Sequence, residues 1–476
     1  MNIYINSKNF LSLKFFRKCI ILYWALQHIR ILQINRFPII TYIIVGWAFL
    51  LCFQYSNKIW SNIKKYYLLL FIFLGGYFIT CLLNYNYMLI DNVQLIVWEF
   101  VQFFILTCYR TDDANNKKEI ESLMRLFIIY TFIFSFCSLL MFWLNINGIA
   151  KDYISGEEFR YGYRNGRLFG MYGSPNYGAL FSVISIVFSN FFKSKNLKKY
   201  FYKLNIIIQI LYLIMSSSRT GIVAFIIGFI MQSVWNYCKQ KENITCKSLI
   251  NGVIIGLFKC MLVILLFEPI KNVNISLCNK YIAYQQSAKY MGIDKPAQSN
   301  NAVGSSHKNN VMFNAKPKIQ NSRDDISNLD ISNGRFLIWK NALDTFFISK
   351  PIFGVTQLGY MKYGKKHFPS SYIITNNKFS LHNDFITILT CSGLMGFVWC
   401  GTFFLIYFYK IIPYCIKILC EKEKKILEWT VCTTIIVCFA TMFFSDAIIL
   451  NITTESLLFW SLTGYIFTRF SIFKEA

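Results

Sequence analysis

The chain has 476 residues, of which 55% are hydrophobic, 18% aromatic and only 15% charged, and its formal net charge at pH 7 is +26. This composition is too apolar for a soluble domain and too poor in charge for a disordered chain, so it indicates an integral membrane protein. The fifteen cysteines lie mostly within apolar segments and form no C-x-x-C pair, so we expect neither a disulfide framework nor a zinc site.

Segments long enough to span a bilayer, which takes about 20 mainly apolar residues, recur along the chain. They predict an all-α polytopic fold of twelve transmembrane helices. The first is the weakest because His28 and Arg30 lie within it, and no small-residue cleavage site follows it, so we interpret it as an uncleaved span rather than a signal peptide. The predicted spans are 19–34, 38–56, 66–84, 93–109, 124–145, 174–192, 203–217, 220–236, 250–267, 393–410, 429–447 and 453–470.

Lysine and arginine are concentrated in alternate loops, those that follow the even-numbered predicted spans up to the tenth. The loops near 85–92 and 447–452 contain neither residue. Because positive charge favours the cytoplasmic side, we expect both termini in the cytoplasm and the longest polar segment outside.

That polar segment divides the chain into three parts: nine helices in 1–267, an extracytoplasmic loop in 268–381, and a re-entrant helix with the last three spans in 382–476. Residues 292–333 are rich in Asn, Ser, Asp and Lys, which is typical of a flexible linker. Residues 334–347 predict an amphipathic helix on the membrane surface, ended by Pro351 and Gly354. Its apolar face would hold Phe336, Trp339, Leu343, Phe346 and Phe347. The loop is basic, which favours an anionic partner (a lipid phosphate, a pyrophosphate or an acidic glycan), and we expect no nucleic acid.

Arginines on this outer face are the first candidates for chemistry. Arg219 lies in a tight turn between the seventh and eighth spans, where a charge is costly unless it is paired or solvated. A guanidinium there can hold a phosphate with two parallel hydrogen bonds, assisted by the Ser218 hydroxyl and by amides at the helix start. The alternative is an arginine that extends to lipid headgroups. Arg335 and Arg167 pose the same choice, with an ordinary solvated charge as the alternative.

A histidine begins the most structured motif. His382 and Asn383 are followed by nine mostly apolar residues, then Gly393, two residues and Gly396. The nine residues predict a short helix that enters the outer leaflet, and the glycines allow a bend and close packing. Asn383 or Asp384 could cap this helix or orient His382, which could serve as a proton acceptor. A purely structural histidine is the alternative.

Asp446 is a carboxylate in an apolar stretch at the outer end of the eleventh predicted span. It either orients a partner or caps a helix end, and Glu455 offers the same choice.

Together these motifs resemble the O-antigen ligase and O-antigen polymerase family of bacterial envelope glycosyltransferases, over about residues 160–470. The matching pieces are Ser217–Gly221, Gly334 and Arg335 with Trp339, Pro351–Gly354, His382 and Asn383 with Gly393 and Gly396, and Arg167–Gly170 with Ser174–Asn176.

The resemblance implies a cofactor-free and metal-independent C-type glycosyltransferase that acts on undecaprenyl-diphosphate-linked glycans at the outer face of the bacterial cytoplasmic membrane. Arg219 and Arg335 would clamp the diphosphate where other enzymes use a divalent cation, and His382 would take the acceptor's proton. Candidate substrate-binding residues are Arg167, Asn176, Ser218, Asn383 and Asp446. A partner that regulates chain length is also an expectation from the family.

Three functions remain open. The leading hypothesis is a polymerase that joins lipid-linked oligosaccharide repeat units. A ligase that transfers finished glycan to a lipid A core would use the same residues. The third is a flippase or exporter of lipid-linked oligosaccharide, for which charges within spans are expected; Glu99 and Lys259 are the main candidates.

Overall fold

Among the described residues, a helix overlaps each of the twelve segments that hydropathy indicates. A computed structural model describes residues 12–27, 29, 38–109, 113–151, 158–195, 199–241, 243–291, 334–377, 380–421 and 425–472. The predicted linker at 292–333, together with His28 and Arg30, lies outside the described residues.

Within the described residues, the first half of the chain contains ten helices and three short strands in the following order. They are α1 Leu13–Gln27, α2 Pro38–Gln54, α3 Ser56–Asn62, α4 Leu68–Leu83, α5 Leu89–Phe100, α6 Asp113–Trp143, β1 Gly148–Lys151, β2 Glu158–Arg164, β3 Arg167–Gly170, α7 Pro175–Ser194, α8 Lys199–Ser216, α9 Arg219–Cys238 and α10 Cys246–Leu265. The second half contains α11 Phe267–Met291, α12 Arg335–Ala342, α13 Tyr360–His367, α14 Tyr372–Thr375, α15 Asp384–Glu421, α16 Ile426–Thr441 and α17 Thr454–Ile472. Single π-helical turns follow α3, α5 and α12, at Ile63–Tyr67, Val101–Ile105 and Leu343–Phe347.

Among the described residues, six helical stretches are long and apolar enough to cross a membrane, and two shorter apolar helices accompany them. The six are Ser56–Leu83, Asp113–Trp143, Pro175–Ser194, Arg219–Cys238, Cys246–Tyr284 and Asp384–Glu421. The chain is therefore a multi-pass, mainly helical membrane protein, while the count of twelve spans and their orientation stay predictions.

A small antiparallel sheet departs from the all-α prediction. Strands β1, β2 and β3 pair in that order in the segment between α6 and α7. The β2–β3 turn consists of Asn165 and Gly166, both with positive φ (49° and 67°). That conformation at both turn residues is typical of a two-residue hairpin, and an Asn-Gly pair is its sequence signal. The hairpin brings Arg164 and Arg167 opposite each other.

Two helix ends also differ from the predicted spans. The helix pair α10–α11 continues to Met291, so the first part of the predicted outer loop is helical. Hydropathy does not predict this helical part of the loop, because only a narrow stripe of α11 is apolar. Ile275, Cys278 and Ile282 are buried in that stripe. At the other end of the chain, α16 stops at Thr441, which leaves a loop from 442 to 453.

A helix is present in the predicted segment 334–347, but most of the side chains it buries are not those predicted. Ile338, Ala342 and Phe346, at four-residue spacing, are the buried side chains. Phe336, which was predicted to lie on the apolar face, is 67% exposed. The apolar residues on this helix outnumber those that one face can hold, so tertiary packing decides which of them is buried.

The long helix α15 is broken at Gly393, where φ is +66° and ψ is −168°. The bend predicted from the glycine spacing is therefore confirmed. A Cβ at Gly393 would lie 2.3 Å from the carbonyl oxygen of Ile352. Only glycine fits this combination of backbone conformation and close approach.

The break leaves helix amides and carbonyls without their usual partners, and the loop 351–356 supplies them. Two amides of the loop donate to α15 and two amides of α15 donate to the loop. The bonds are Val355 N to Thr390 O (3.2 Å), Thr356 N to Cys391 O (3.0 Å), Leu394 N to Pro351 O (2.8 Å) and Met395 N to Ile352 O (3.1 Å). Irregular backbone at membrane depth needs such partners because no water is available.

The same loop is attached to α4. The hydroxyl of Thr80 donates to the carbonyl of Phe353 at 2.6 Å, and the Asn84 amide donates to that of Gly354 at 3.1 Å. The amide of Gln357 donates to the Tyr77 hydroxyl at 2.9 Å. The loop therefore joins an N-terminal helix to the helix that begins beside His382.

We predict that Gly393→Ala is strongly destabilising, by about 2–3 kcal/mol or more, because it combines a left-handed backbone with a clash. The measurement is the thermal unfolding midpoint of the purified protein in detergent. The control is Gly401→Ala in the same helix, where a Cβ would meet nothing within 4 Å. Equal midpoints for the two variants would contradict this account.

Candidate functional site

His382 lies in the turn just before α15, with a positive φ of 54°. Its Nδ1 is 2.9 Å from the hydroxyl oxygen of Ser380, and that hydroxyl donates to Oδ1 of Asp446, also at 2.9 Å. Because the serine has a single hydroxyl hydrogen and gives it to Asp446, Nδ1 must donate to Ser380. This chain of bonds assigns the hydrogen to Nδ1 and the lone pair to Nε2.

Asp446 is 6% exposed in the loop between α16 and α17. Burial raises the pKa of its carboxyl to about 6, although Ser380 and backbone amides, including those of Leu381 and His382, act in the opposite direction. The sequence left open whether this residue caps a helix or orients a partner, and the structure places it behind His382.

The loop between α16 and α17 also holds the turn that contains His382. Asn383 caps α15, since its side-chain oxygen accepts from the amides of Phe385 (2.9 Å) and Ile386 (3.0 Å). Its side-chain NH2 donates to the carbonyl of Phe443 at 3.2 Å. The amide of Asp384 donates to the Met442 carbonyl at 2.8 Å. Asn383 therefore has a structural role here, and its predicted contact with substrate stays a prediction.

Arg335 begins α12, and this helix is attached directly to the histidine turn. The indole N–H of Trp339 donates to the carbonyl of Leu381 at 2.8 Å. Burial lowers the pKa of Arg335, the positive charge of Arg219 lowers it further, and the negative charge of Asp446 raises it. Arg335, Arg219 and Asp446 thus interact electrostatically, although they come from three distant parts of the chain.

Arg219 is the first residue of α9, and the residue before it caps that helix. The Ser218 hydroxyl accepts from the amide of Gly221 at 3.1 Å. Helix N-termini favour anions because their first amides have no partner within the helix. Arg219 therefore lies at the end of α9 that favours anions.

A third group of predicted residues meets at the turn before α9. Arg167 donates to the side-chain oxygen of Asn176 at 2.8 Å and to the carbonyl of Ser216 at 3.2 Å. Ser218 donates to the same oxygen of Asn176 at 2.9 Å. The hairpin, the start of α7 and the turn before α9 are therefore joined by one cluster of hydrogen bonds.

Two residues of the site were missed at the sequence level. Lys271 on α11 is 3% exposed, and its ammonium donates to the Ser217 hydroxyl at 2.8 Å, so it places another cation at the turn that contains Arg219. It stood among many lysines in the basic loop, and no local pattern distinguished it. Ser380, which connects His382 to Asp446, lies two residues before the histidine and had no motif of its own.

A cavity of about 480 Å³ opens beside this arrangement, and Ser380 and Asp446 form part of its wall. Most of the remaining wall comes from α1, α5 and the loop after α16. Among the described residues there is no group of three or more His, Cys, Asp or Glu side chains that could hold a metal ion. Metal independence stays a prediction.

We predict that activity falls as the pH drops through about 6. Protonated Asp446 can donate to Ser380, which would then donate to Nδ1 of His382 and shift the ring hydrogen to Nε2. Nε2 of His382 would then have no lone pair with which to accept a proton. The rate should therefore follow the ionised fraction of Asp446.

The measurement is the pH–rate profile of the wild type beside Asp446→Asn and Ser380→Ala. Both variants should be slower at neutral pH, by about tenfold or more, and their acidic limb should lie at a different pH from that of the wild type. A limb that persists unchanged in Asp446→Asn would show that another group titrates.

A comparison with known protein families gives a match to part of the chain. A search of curated proteins found no match. Residues 204–401 match the O-antigen ligase family model (Wzy_C), and this stretch contains Arg219, Arg335 and His382. Arg167 and Asn176 precede the match, and Asp446 follows it. The 204–401 region is thus similar to the O-antigen ligase family, in agreement with the resemblance that the motifs indicate.

Proposed function

We propose that this protein is a polymerase that joins undecaprenyl-diphosphate-linked oligosaccharide repeat units on the outer face of the bacterial cytoplasmic membrane, with both termini in the cytoplasm. The observation that carries the proposal is the hydrogen-bonded chain His382–Ser380–Asp446 beside the pair Arg335 and Arg219. In this proposal His382 accepts a proton and the two arginines hold an anion, as glycosyl transfer from a lipid diphosphate requires.

In the proposed reaction, a hydroxyl of the acceptor sugar attacks the anomeric carbon of the donor glycan. Its proton passes to Nε2 of His382, while the bond from the anomeric carbon to the diphosphate oxygen breaks. Asp446, acting through Ser380, stabilises the imidazolium that forms. Direct displacement by one nucleophile predicts inversion at the anomeric carbon.

The leaving diphosphate gains negative charge as that bond breaks. Arg219 and Arg335 would hold it, and preorganised positive groups of this kind lower the barrier because they need no rearrangement. Arg167 and Lys271 stabilise the turn that presents Arg219. An anion between Arg219 and Arg335 would also relieve the repulsion that lowers the pKa of Arg335.

The ligase alternative requires the same residues and differs only in the acceptor. The description of the matching family, O-antigen ligase, is the observation that favours it. Of the two within-span charges that a flippase would use, Lys259 on α10 is exposed, whereas Glu99 on α5 is buried. A transporter would place such a charge toward an interior path.

We predict that the purified protein elongates an undecaprenyl-diphosphate-linked repeat unit supplied as the sole substrate, giving a ladder of products on a gel. His382→Ala and Arg219→Ala should each reduce the rate by about 100-fold or more, because they remove the general base and a cation at the leaving group. Matched controls are His367→Ala, an exposed histidine on α13, and Arg160→Ala on β2, which should retain activity.

Each outcome separates the candidates. No ladder, but transfer once lipid A core is added, would identify a ligase. No transfer under either condition, with lipid-linked glycan crossing proteoliposome bilayers, would contradict the enzyme and support the exporter. Equal losses in His367→Ala and His382→Ala would remove the proton-transfer role of His382.

A further inference from the structure

The cavity next to Ser380 and Asp446 has an acidic wall, whereas the protein as a whole is basic. Its volume, about 480 Å³, is within the range of small-molecule sites. The residues that matter most for its chemistry are Trp24, Asp91, Gln94, Trp98, Tyr177 and Asn451. Among the described residues, its charged lining side chains are Asp91 and Asp446, and no lysine or arginine lines it.

We propose that this cavity is the acceptor-sugar subsite and that it selects neutral or amino sugars against sugars that carry a carboxylate. This inference rests on the proposed glycosyl transfer. It adds a class of substrate and places sugar selectivity in helices α1 and α5, which lie outside the 204–401 family match.

The aromatic side of the cavity suits the apolar face of a sugar ring. Trp24 and Trp98 pack edge to face, with ring centroids 5.7 Å apart and an interplanar angle of 87°. The indole N–H of Trp24 is buried and has no hydrogen-bond partner within the described part of the chain. The part of Trp24 that a sugar can contact is therefore the indole ring and not its N–H.

The polar side of the cavity suits hydroxyl and amine groups. Gln94 and Asn451 supply amides, and Asp91 supplies a carboxylate that can accept from a sugar hydroxyl or pair with an ammonium group. A sugar carboxylate would face Asp91 and Asp446 with no cation on the wall to offset them, and such uncompensated like charge disfavours binding.

The position of the cavity identifies its sugar as the acceptor. Ser380 and Asp446 belong both to the cavity wall and to the chain of bonds behind His382. A sugar bound there lies next to the two residues that orient His382, while His382 itself is not among the lining residues. Arg219 and Arg335, which suit a diphosphate, are not among the lining residues.

The test measures binding and does not depend on turnover. Full-length protein in nanodiscs is titrated with N-acetylglucosamine, glucosamine or glucuronic acid, and contact is followed by saturation-transfer NMR. We expect the first two sugars to bind and glucuronic acid to bind at least about tenfold more weakly. Trp24→Ala should weaken binding of N-acetylglucosamine about tenfold, and Asp91→Asn should raise that of glucuronic acid by a similar factor.

Matched controls are Trp60→Ala, a tryptophan that is 50% exposed on α3, and Glu158→Gln, an exposed carboxylate on β2. Both should bind all three sugars as the wild type does. Equal binding of glucuronic acid and N-acetylglucosamine, or binding unaffected by Trp24→Ala, would overturn the proposal. Sugar binding that depends on Trp24 in a protein that fails to polymerise would support the subsite and contradict the polymerase, so the two failures are distinguishable.

Discussion

The site depends on the backbone hydrogen bonds between the loop 351–356 and the broken helix α15. A helix inside a membrane protein can be interrupted only if other protein groups satisfy its open amides and carbonyls, and this loop satisfies four of them. Gly393 and Gly354 make the contact possible, because a Cβ on either would overlap the opposing backbone. The loop in turn bonds to α4, so the start of α15, and with it His382, is positioned relative to the N-terminal helices.

The charged residues of the candidate site come from several elements. Arg219, Arg335 and the buried Lys271 come from α9, α12 and α11, whereas Asp446 and Asp91 lie toward the cavity. This arrangement is compatible with the proposed reaction, in which a diphosphate leaves and a sugar hydroxyl loses its proton. It also refines the expectation of an anionic partner: the basic groups suit the diphosphate, and the acidic cavity suits a sugar without a carboxylate.

Two residues of the candidate site have an unusual backbone geometry. His382 and Ser217 adopt positive φ values of 54° and 48°, a conformation that costs free energy for residues other than glycine. Both are held by side-chain bonds, His382 through Ser380 and Ser217 through Lys271. The surrounding fold therefore offsets the local cost and keeps these groups in place before any substrate binds.

The sequence by itself determined the membrane class, the helical segments, the bend at Gly393 and the motif residues, because hydropathy, glycine spacing and local residue type are properties of neighbouring positions. It also held an unused signal, the Asn165–Gly166 pair of the hairpin. Only the tertiary structure decided that Ser380 connects His382 to Asp446, that Lys271 reaches the turn before Arg219, that Phe336 faces outward, and that Trp24 and Asp91 share a cavity with Asp446. These contacts join residues far apart in the chain, and since no local periodicity encodes such pairings, packing alone specifies them.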